Sequence, residues 1–218
     1  MNRASDPVEP AIQPGRVVLV HGLWMPSAVM APLAFRLARA GYATCVFDFR
    51  GRAPFEANRI RLAAYLREQT APFGVVAHSL GGVLTLAALN GDPAIPVTRA
   101  VLLGSPVRGS LSGRRLAAWR AGRWLLGGAE AWWAIRTDAV WRRQAPLGTI
   151  SGTAARGLGR LLGTLPEAND GVVATAETAV DGAREAISLP VGHSGLLFSS
   201  AVARNVIRFL GNGSFREA

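Results

Sequence analysis

Lysine is absent from this 218-residue sequence: all 24 basic residues are arginine, and with 14 acids the formal charge is +10. A balance of that kind suits nucleic acid, anionic lipid or acidic partners. No nucleic-acid-binding motif accompanies it, and a bias towards Arg, Ala and Gly accounts for it more simply, so no nucleic-acid partner is expected. Cysteine is nearly absent as well. Cys45 stands alone and cannot close an internal disulfide, and no Cys/His cluster has zinc-ligand spacing. A disulfide scaffold and a zinc module are both excluded, and no metal is expected. No apolar run reaches the roughly 18 to 20 residues that span a bilayer. The first fifteen residues hold acids and three prolines but no apolar stretch, unlike a signal or transit peptide. Residues 1–15 are therefore expected to be a disordered segment, and the cytoplasm is the expected compartment.

What is present describes a folded domain. Half of the residues are hydrophobic, 17% are charged and the mean hydropathy is +0.23, values foreign to disordered chains. At roughly 150 residues per domain, the length fits one domain, or one domain with an insertion. From residue 16 onward, short apolar runs at 17–20, 42–49, 73–77, 98–103, 147–151 and 186–191 read as strands. Helical patterns lie between them at 27–39, 55–68, 80–89 and 196–210. Strands that are apolar throughout and separated by helices predict an α/β fold with a mostly parallel central sheet covered on both faces.

Residues 107–146 interrupt the alternation, being too long for an ordinary connection. They hold five of the six tryptophans and eight arginines against two acids, and read as helical pieces split at Gly127-Gly128.

The sharpest chemical signal is Val75-Val76-Ala77-His78-Ser79-Leu80-Gly81-Gly82, a β-rich run, a serine, and small residues opening an apolar helix. A serine hydroxyl attacks usefully only when exposed, next to a base and beside donors for the developing oxyanion. A tight turn at a strand end supplies the exposure, and the helix that follows supplies free amides. Three histidines compete for the role of base. His78 precedes the serine in a strand and should point away from it, packed beneath the turn. His21 ends the first strand and is expected to brace a turn. His193 remains, in the glycine-flanked loop Pro190-Val191-Gly192-His193-Ser194-Gly195 between the last strand and the last helix. Among the acids, Asp170 sits in the turn sequence Asn169-Asp170-Gly171, with Glu167 as the near alternative. Asp181 and Glu185 look like solvated charges, and Asp138 falls inside the insertion.

His-Gly-Leu at 21–23, Ala-His-Ser-Leu-Gly-Gly at 77–82, Asp-Gly-Val-Val at 170–173 and Val-Gly-His-Ser-Gly-Leu-Leu-Phe-Ser-Ser at 191–200 together resemble the α/β-hydrolase superfamily, most closely its small bacterial esterase/lipase group. The resemblance covers residues 16 to 210 and fails over 107–146. It implies the α/β-hydrolase fold over 16–218, with 107–146 as a helical lid or cap. It makes Ser79 the nucleophile, His193 the base and Asp170 the orienting acid, in the chain order of that fold. The backbone N–H groups of Leu23 and Leu80 would form the oxyanion hole. Trp24, Trp119 and Trp124 would bind the substrate, and no cofactor is implied.

The activity so implied is cleavage of carboxylic esters with apolar acyl groups through an acyl-enzyme. A thioesterase or amidase would use the same triad, and a non-catalytic lipid-binding member would share only the fold. Trp and Arg together are also what interfacial helices use. Here packing of the tryptophans onto the sheet domain is favoured over membrane docking, so contact with an anionic lipid surface is expected to be weak.

Overall fold

The computed structural model describes residues 15–69, 72–126, 139–155, 165 and 168–217. The elements are β1 (Arg16–Val20), a 3-10 turn (Ser27–Met30) leading into α1 (Ala31–Arg39), β2 (Ala43–Phe47), α2 (Phe55–Arg67), β3 (Phe73–His78), α3 (Leu80–Gly91) and β4 (Val97–Leu103). Next come α4 (Leu111–Ala117), α5 (Arg120–Leu126), β5 (Leu147–Gly152), a second 3-10 turn (Thr175–Thr178), β6 (Glu185–Leu189), α6 (Gly195–Phe198) and α7 (Ser200–Asn212).

The six strands form one sheet in the order β2-β1-β3-β4-β5-β6, and every pairing is parallel. Side chains alternate between two cores, as the pleat requires. Val18 and Val20 of β1 join Val75 and Ala77 of β3 in a core closed by Leu62, Leu66 and Leu84 of α2 and α3. Val17 and Leu19 join Val76, Val101 and Ile150 in a second core on the other face, closed by Leu33 and Leu37 of α1 and by Val202 and Phe209 of α7. That double burial is why the strands carry no polar alternation. Beyond β1 the chain turns one way to β2, and it then crosses back to β3 and runs the other way. The strand order reverses between β1 and β3, and the crevice at the C-terminal ends of such a pair is where ligands bind in open α/β sheets.

One expected helix differs from the pattern. The stretch 196–210 is divided at Ser199, whose backbone is extended (φ −71°, ψ 127°) and whose hydroxyl accepts the Val202 N–H at 3.4 Å. A serine that caps a new helix competes with continuing the old one, which periodicity alone does not reveal. In the insertion, α4 ends at Ala117 and α5 runs from Arg120 to Leu126; the expected split at Gly127-Gly128 lies outside the described residues. Gly122 explains the close return of α5 onto α4, since a Cβ there would stand 1.9 Å from the Leu116 carbonyl oxygen. The end of the insertion is core material. Trp141 is buried, with its indole N–H donating to the Ala145 carbonyl at 2.6 Å.

Among the described residues, no helix is long and apolar enough to cross a membrane. Residues 1–14 and Glu167 lie outside the described residues.

Candidate active site

Ser79 joins β3 to α3 with φ 55° and ψ −130°, a region that L-residues other than glycine rarely occupy. Holding it there costs on the order of 1 to 3 kcal/mol, which the surroundings must supply. The Ser79 N–H donates to the Leu103 carbonyl at 2.9 Å, and the Ser79 carbonyl accepts the Gly82 N–H at 2.9 Å. The two glycines after the serine have a packing reason. A Cβ on Gly81 would lie 2.2 Å from the His21 carbonyl oxygen, and one on Gly82 would lie 1.9 Å from the Ser105 hydroxyl. Only at those positions without side chains can α3 pass so close to the end of β1 and the loop after β4.

His193 comes to the serine from the loop after β6. Its Nε2 is 2.9 Å from Ser79 Oγ, and its Nδ1 is 2.6 Å from Asp170 Oδ2. With Nδ1–H donating to the carboxylate, Nε2 is left as the acceptor for the serine proton. Asp170 is buried, and its other oxygen, Oδ1, accepts the backbone N–H groups of Val172 at 2.9 Å and Val173 at 2.7 Å. Its carbonyl accepts the His193 N–H at 2.9 Å, so acid and base are joined through the backbone as well as through side chains. The Asn-Asp-Gly turn makes this possible: Asn169 Oδ1 accepts the Gly171 N–H at 2.9 Å, and Gly171 takes φ 94°.

The other two histidines stay out of this line. His78 is fully buried beneath the serine, with Nε2–H donating to the His193 carbonyl at 3.1 Å and the two rings 4.7 Å apart. Burial lowers its pKa well below the ordinary histidine value, and the nearby His193 and His21 act in the same direction, so the ring is neutral. His21 stacks on Phe49 at 4.5 Å, lies 2.7 Å from the Gly22 carbonyl through Nδ1, and sits 2.9 Å from Asp48 Oδ1 through Nε2.

Residues 17–187 match the profile of the alpha/beta hydrolase family. The chain belongs to that family. No curated protein sequence matches it. Among solved structures, it is similar to a Bacillus licheniformis lipase, with a TM-score of 0.70 and 21% identity over 95% of this chain and 94% of that one. It is also similar to the Paleococcus ferrophilus monoacylglycerol lipase, with a TM-score of 0.61 and 15% identity over 89% of this chain and 93% of that one. A pyrethroid hydrolase gives a TM-score of 0.61 and 14% identity over 91% of this chain and 98% of that one. At these identities the likeness is one of fold.

In this alpha/beta hydrolase, the loop after β1 reaches the serine. A Cβ on Gly22 would stand 3.1 Å from Ser79 Cβ, which puts the backbone at Leu23 beside the nucleophile. Leu80 opens α3, so its N–H has no carbonyl of its own helix to meet. Trp24 follows with φ 56° and is half exposed. Among the described residues, Trp119 and Trp124 are the most exposed aromatic side chains, at 67% and 71%. Neither is packed away, and Trp124 is tied to the mouth through Arg52, whose guanidinium lies 5.2 Å over the indole and donates to the Trp124 carbonyl at 3.0 Å. The neighbouring Gly51 in turn faces Leu23, since a Cβ there would meet its Cδ1 at 2.8 Å.

Of the two acids expected to be solvated, Asp181 is exposed, while Glu185, like Glu177, accepts a backbone N–H. Glu177 Oε1 accepts the Leu111 N–H at 2.6 Å, and Ser112 donates to the Val172 carbonyl at 2.7 Å, so the foot of the insertion is fastened to the segment carrying Asp170. Asp181 pairs with Arg108 at 2.5 Å, and Glu185 accepts from the Ser214 hydroxyl at 2.8 Å and the Phe215 N–H at 2.6 Å. Sequence reasoning also missed Gly104, at φ 55°, where a Cβ would come 2.6 Å from Leu196 Cδ1 and 3.1 Å from Asp170 Oδ2. Its position just after a predicted strand was the available signal. Among the described residues, no group of three or more His, Cys, Asp or Glu side chains is arranged to hold a metal.

Proposed function

We propose that this chain is a serine hydrolase of carboxylic esters with apolar acyl groups, esterase-like or lipase-like, working through an acyl-enzyme. The observation that carries the reading is the unbroken line from Ser79 Oγ through His193 to Asp170, at 2.9 and 2.6 Å. His193 Nε2 takes the serine proton as Oγ attacks the ester carbonyl, and the buried carboxylate of Asp170 stabilises the imidazolium. The oxyanion is held by the N–H groups of Leu23 and Leu80. The imidazolium then protonates the departing alkoxide. In the second half His193 deprotonates a water, which attacks the acyl carbon and releases the acid.

Preference for apolar acyl groups is supported by Trp24, Trp119 and Trp124, exposed on the oxyanion loop and the insertion, with residues 107–146 acting as the cap. The lipase fold of two structural relatives points the same way. The arginines of α4 and α5, set among these tryptophans, give the cap a composition suited to weak contact with an anionic lipid surface. A panel of p-nitrophenyl esters of increasing chain length, run beside an acyl thioester and an acyl anilide, tests the substrate class. Turnover of esters rising with chain length is expected. Turnover confined to the thioester or the anilide would assign the triad to that bond instead.

A further inference from the structure

Helices α1 and α7 lie side by side on the sheet face away from α2 and α3. An open groove of about 430 Å³ runs between them, a size within the range of ligand sites. Its apolar surface comes from Phe35 of α1 and from Ala203 and Ile207 of α7, and Phe35 is 63% exposed. Its charged edge consists of Arg36, Arg39 and Arg204.

The charged side chains that line this groove are all of one sign. Neither helix contains an acidic residue. Arg59, Arg108 and Arg208, the last on α7 itself, are paired with Glu56, Asp181 and Glu217. Arg36 donates only to the Pro32 carbonyl at 3.1 Å, and Arg39 lies 6.0 Å over the ring of Phe35. Among the described residues, none of the three groove arginines has an ion-pair partner. Three like charges along one slot repel one another, and among the described residues no acid lines the groove to offset them.

We propose that this groove binds a free long-chain carboxylate, its headgroup between Arg36, Arg39 and Arg204 and its chain along Phe35, Ala203 and Ile207. A planar carboxylate matches the guanidinium fork and can take two parallel hydrogen bonds from it. A bare inorganic anion would leave the apolar surface in water, and an uncharged chain would leave the arginines unmatched. A concave slot between two helices receives a single chain, whereas a bilayer surface would meet little beyond Phe35. The assignment rests on the groove and is independent of the chemistry at Ser79.

Laurate binding by titration calorimetry tests it, using Ser79→Ala as the reference and the same protein carrying Arg39→Glu and Arg204→Glu. Any laurate held in the cleft above Ser79 is common to both and cancels. The reference should show a laurate site that the charge reversal weakens by at least roughly tenfold, and Arg39→Lys with Arg204→Lys, which keeps the charge but loses the fork, should weaken it less than the reversal does. Superimposable thermal melts establish that the exposed substitutions leave the fold intact, with Arg39→Gln and Arg204→Gln as replacements if they do not. Equal laurate affinity in reference and reversed proteins would overturn the proposal, as would dodecanol binding as tightly as laurate. Sedimentation with phosphatidylglycerol vesicles that needs Arg39 and Arg204, without binding of monomeric laurate, would overturn it in favour of a lipid surface.

Discussion

The imidazole of His78 supports the loop that carries His193: its Nε2–H donates to the His193 carbonyl at 3.1 Å, and the rings lie 4.7 Å apart. The residue before the nucleophile thereby holds the backbone of the base. Burial keeps the ring neutral in the folded state, whereas the unfolded chain protonates it below about pH 6.5. The unfolded state then binds the extra proton, so stability falls as pH drops, by up to about 1.4 kcal/mol per pH unit for this group. His78→Gln keeps a donor near the Nε2 position and removes the titration. Urea melts between pH 7 and pH 5 should show the parent losing stability relative to His78→Gln. A constant difference across that range would contradict the neutral, buried ring.

Asp170→Asn should separate activity from stability. The amide oxygen can still accept the Val172 and Val173 N–H groups, but the amide nitrogen would face His193 Nδ1 and favour the tautomer with hydrogen on Nε2. That nitrogen could no longer take the serine proton. A loss in kcat on the order of 10⁴ is expected at pH 7, with little change in Tm. Activity within tenfold of the parent would remove Asp170 from the triad.

Gly81→Ala and Gly195→Ala form a contrasting pair. The first sets a Cβ 2.2 Å from a backbone carbonyl oxygen, and the second meets nothing nearer than Val191 Cβ at 3.6 Å. Gly81→Ala should cost about 3 kcal/mol or more in urea unfolding. Gly195→Ala, at a helical position, should be neutral or stabilising by up to about 1 kcal/mol. Similar effects for the two would contradict the close approach of α3 to β1.

Glu177→Ala removes the carboxylate that accepts the Leu111 N–H at 2.6 Å and the Ala174 N–H at 3.0 Å. The foot of the insertion should loosen, at a cost of about 1 to 3 kcal/mol. Trypsin should then cut sooner at Arg114, Arg115, Arg120 or Arg123. An unchanged digestion pattern would show that α4 is held by other contacts.

The sheet was legible because its strands are buried on both faces and read as unbroken apolar runs, with Val17 to Val20 feeding two cores at once. Ser79, His193 and Asp170 each stand in a local sequence that favours a turn, Ala-His-Ser-Leu-Gly-Gly, Val-Gly-His-Ser-Gly and Asn-Asp-Gly, but their grouping, and Asp170 rather than Glu167, rested also on the resemblance to α/β-hydrolases. What escaped depends on partners distant in sequence. Glu185 looks like a surface charge until the backbone N–H of Phe215 is brought to it, and nothing around Glu177 in sequence points to Leu111. Ser199 looks like one more helical residue until its hydroxyl is seen to cap α7. The unpaired arginines of α1 and α7 emerge only when the two helices are side by side, because nothing in either segment says what the other lacks.

Reaction with a fluorophosphonate probe, followed by peptide mapping, reads the central claim directly. A serine deprotonated by His193 and placed beside the amides of Leu23 and Leu80 should become labelled at Ser79 alone, and Ser79→Ala and His193→Ala should both abolish the label. Labelling that persists in Ser79→Ala, or a folded parent protein that takes up no probe, would contradict the account.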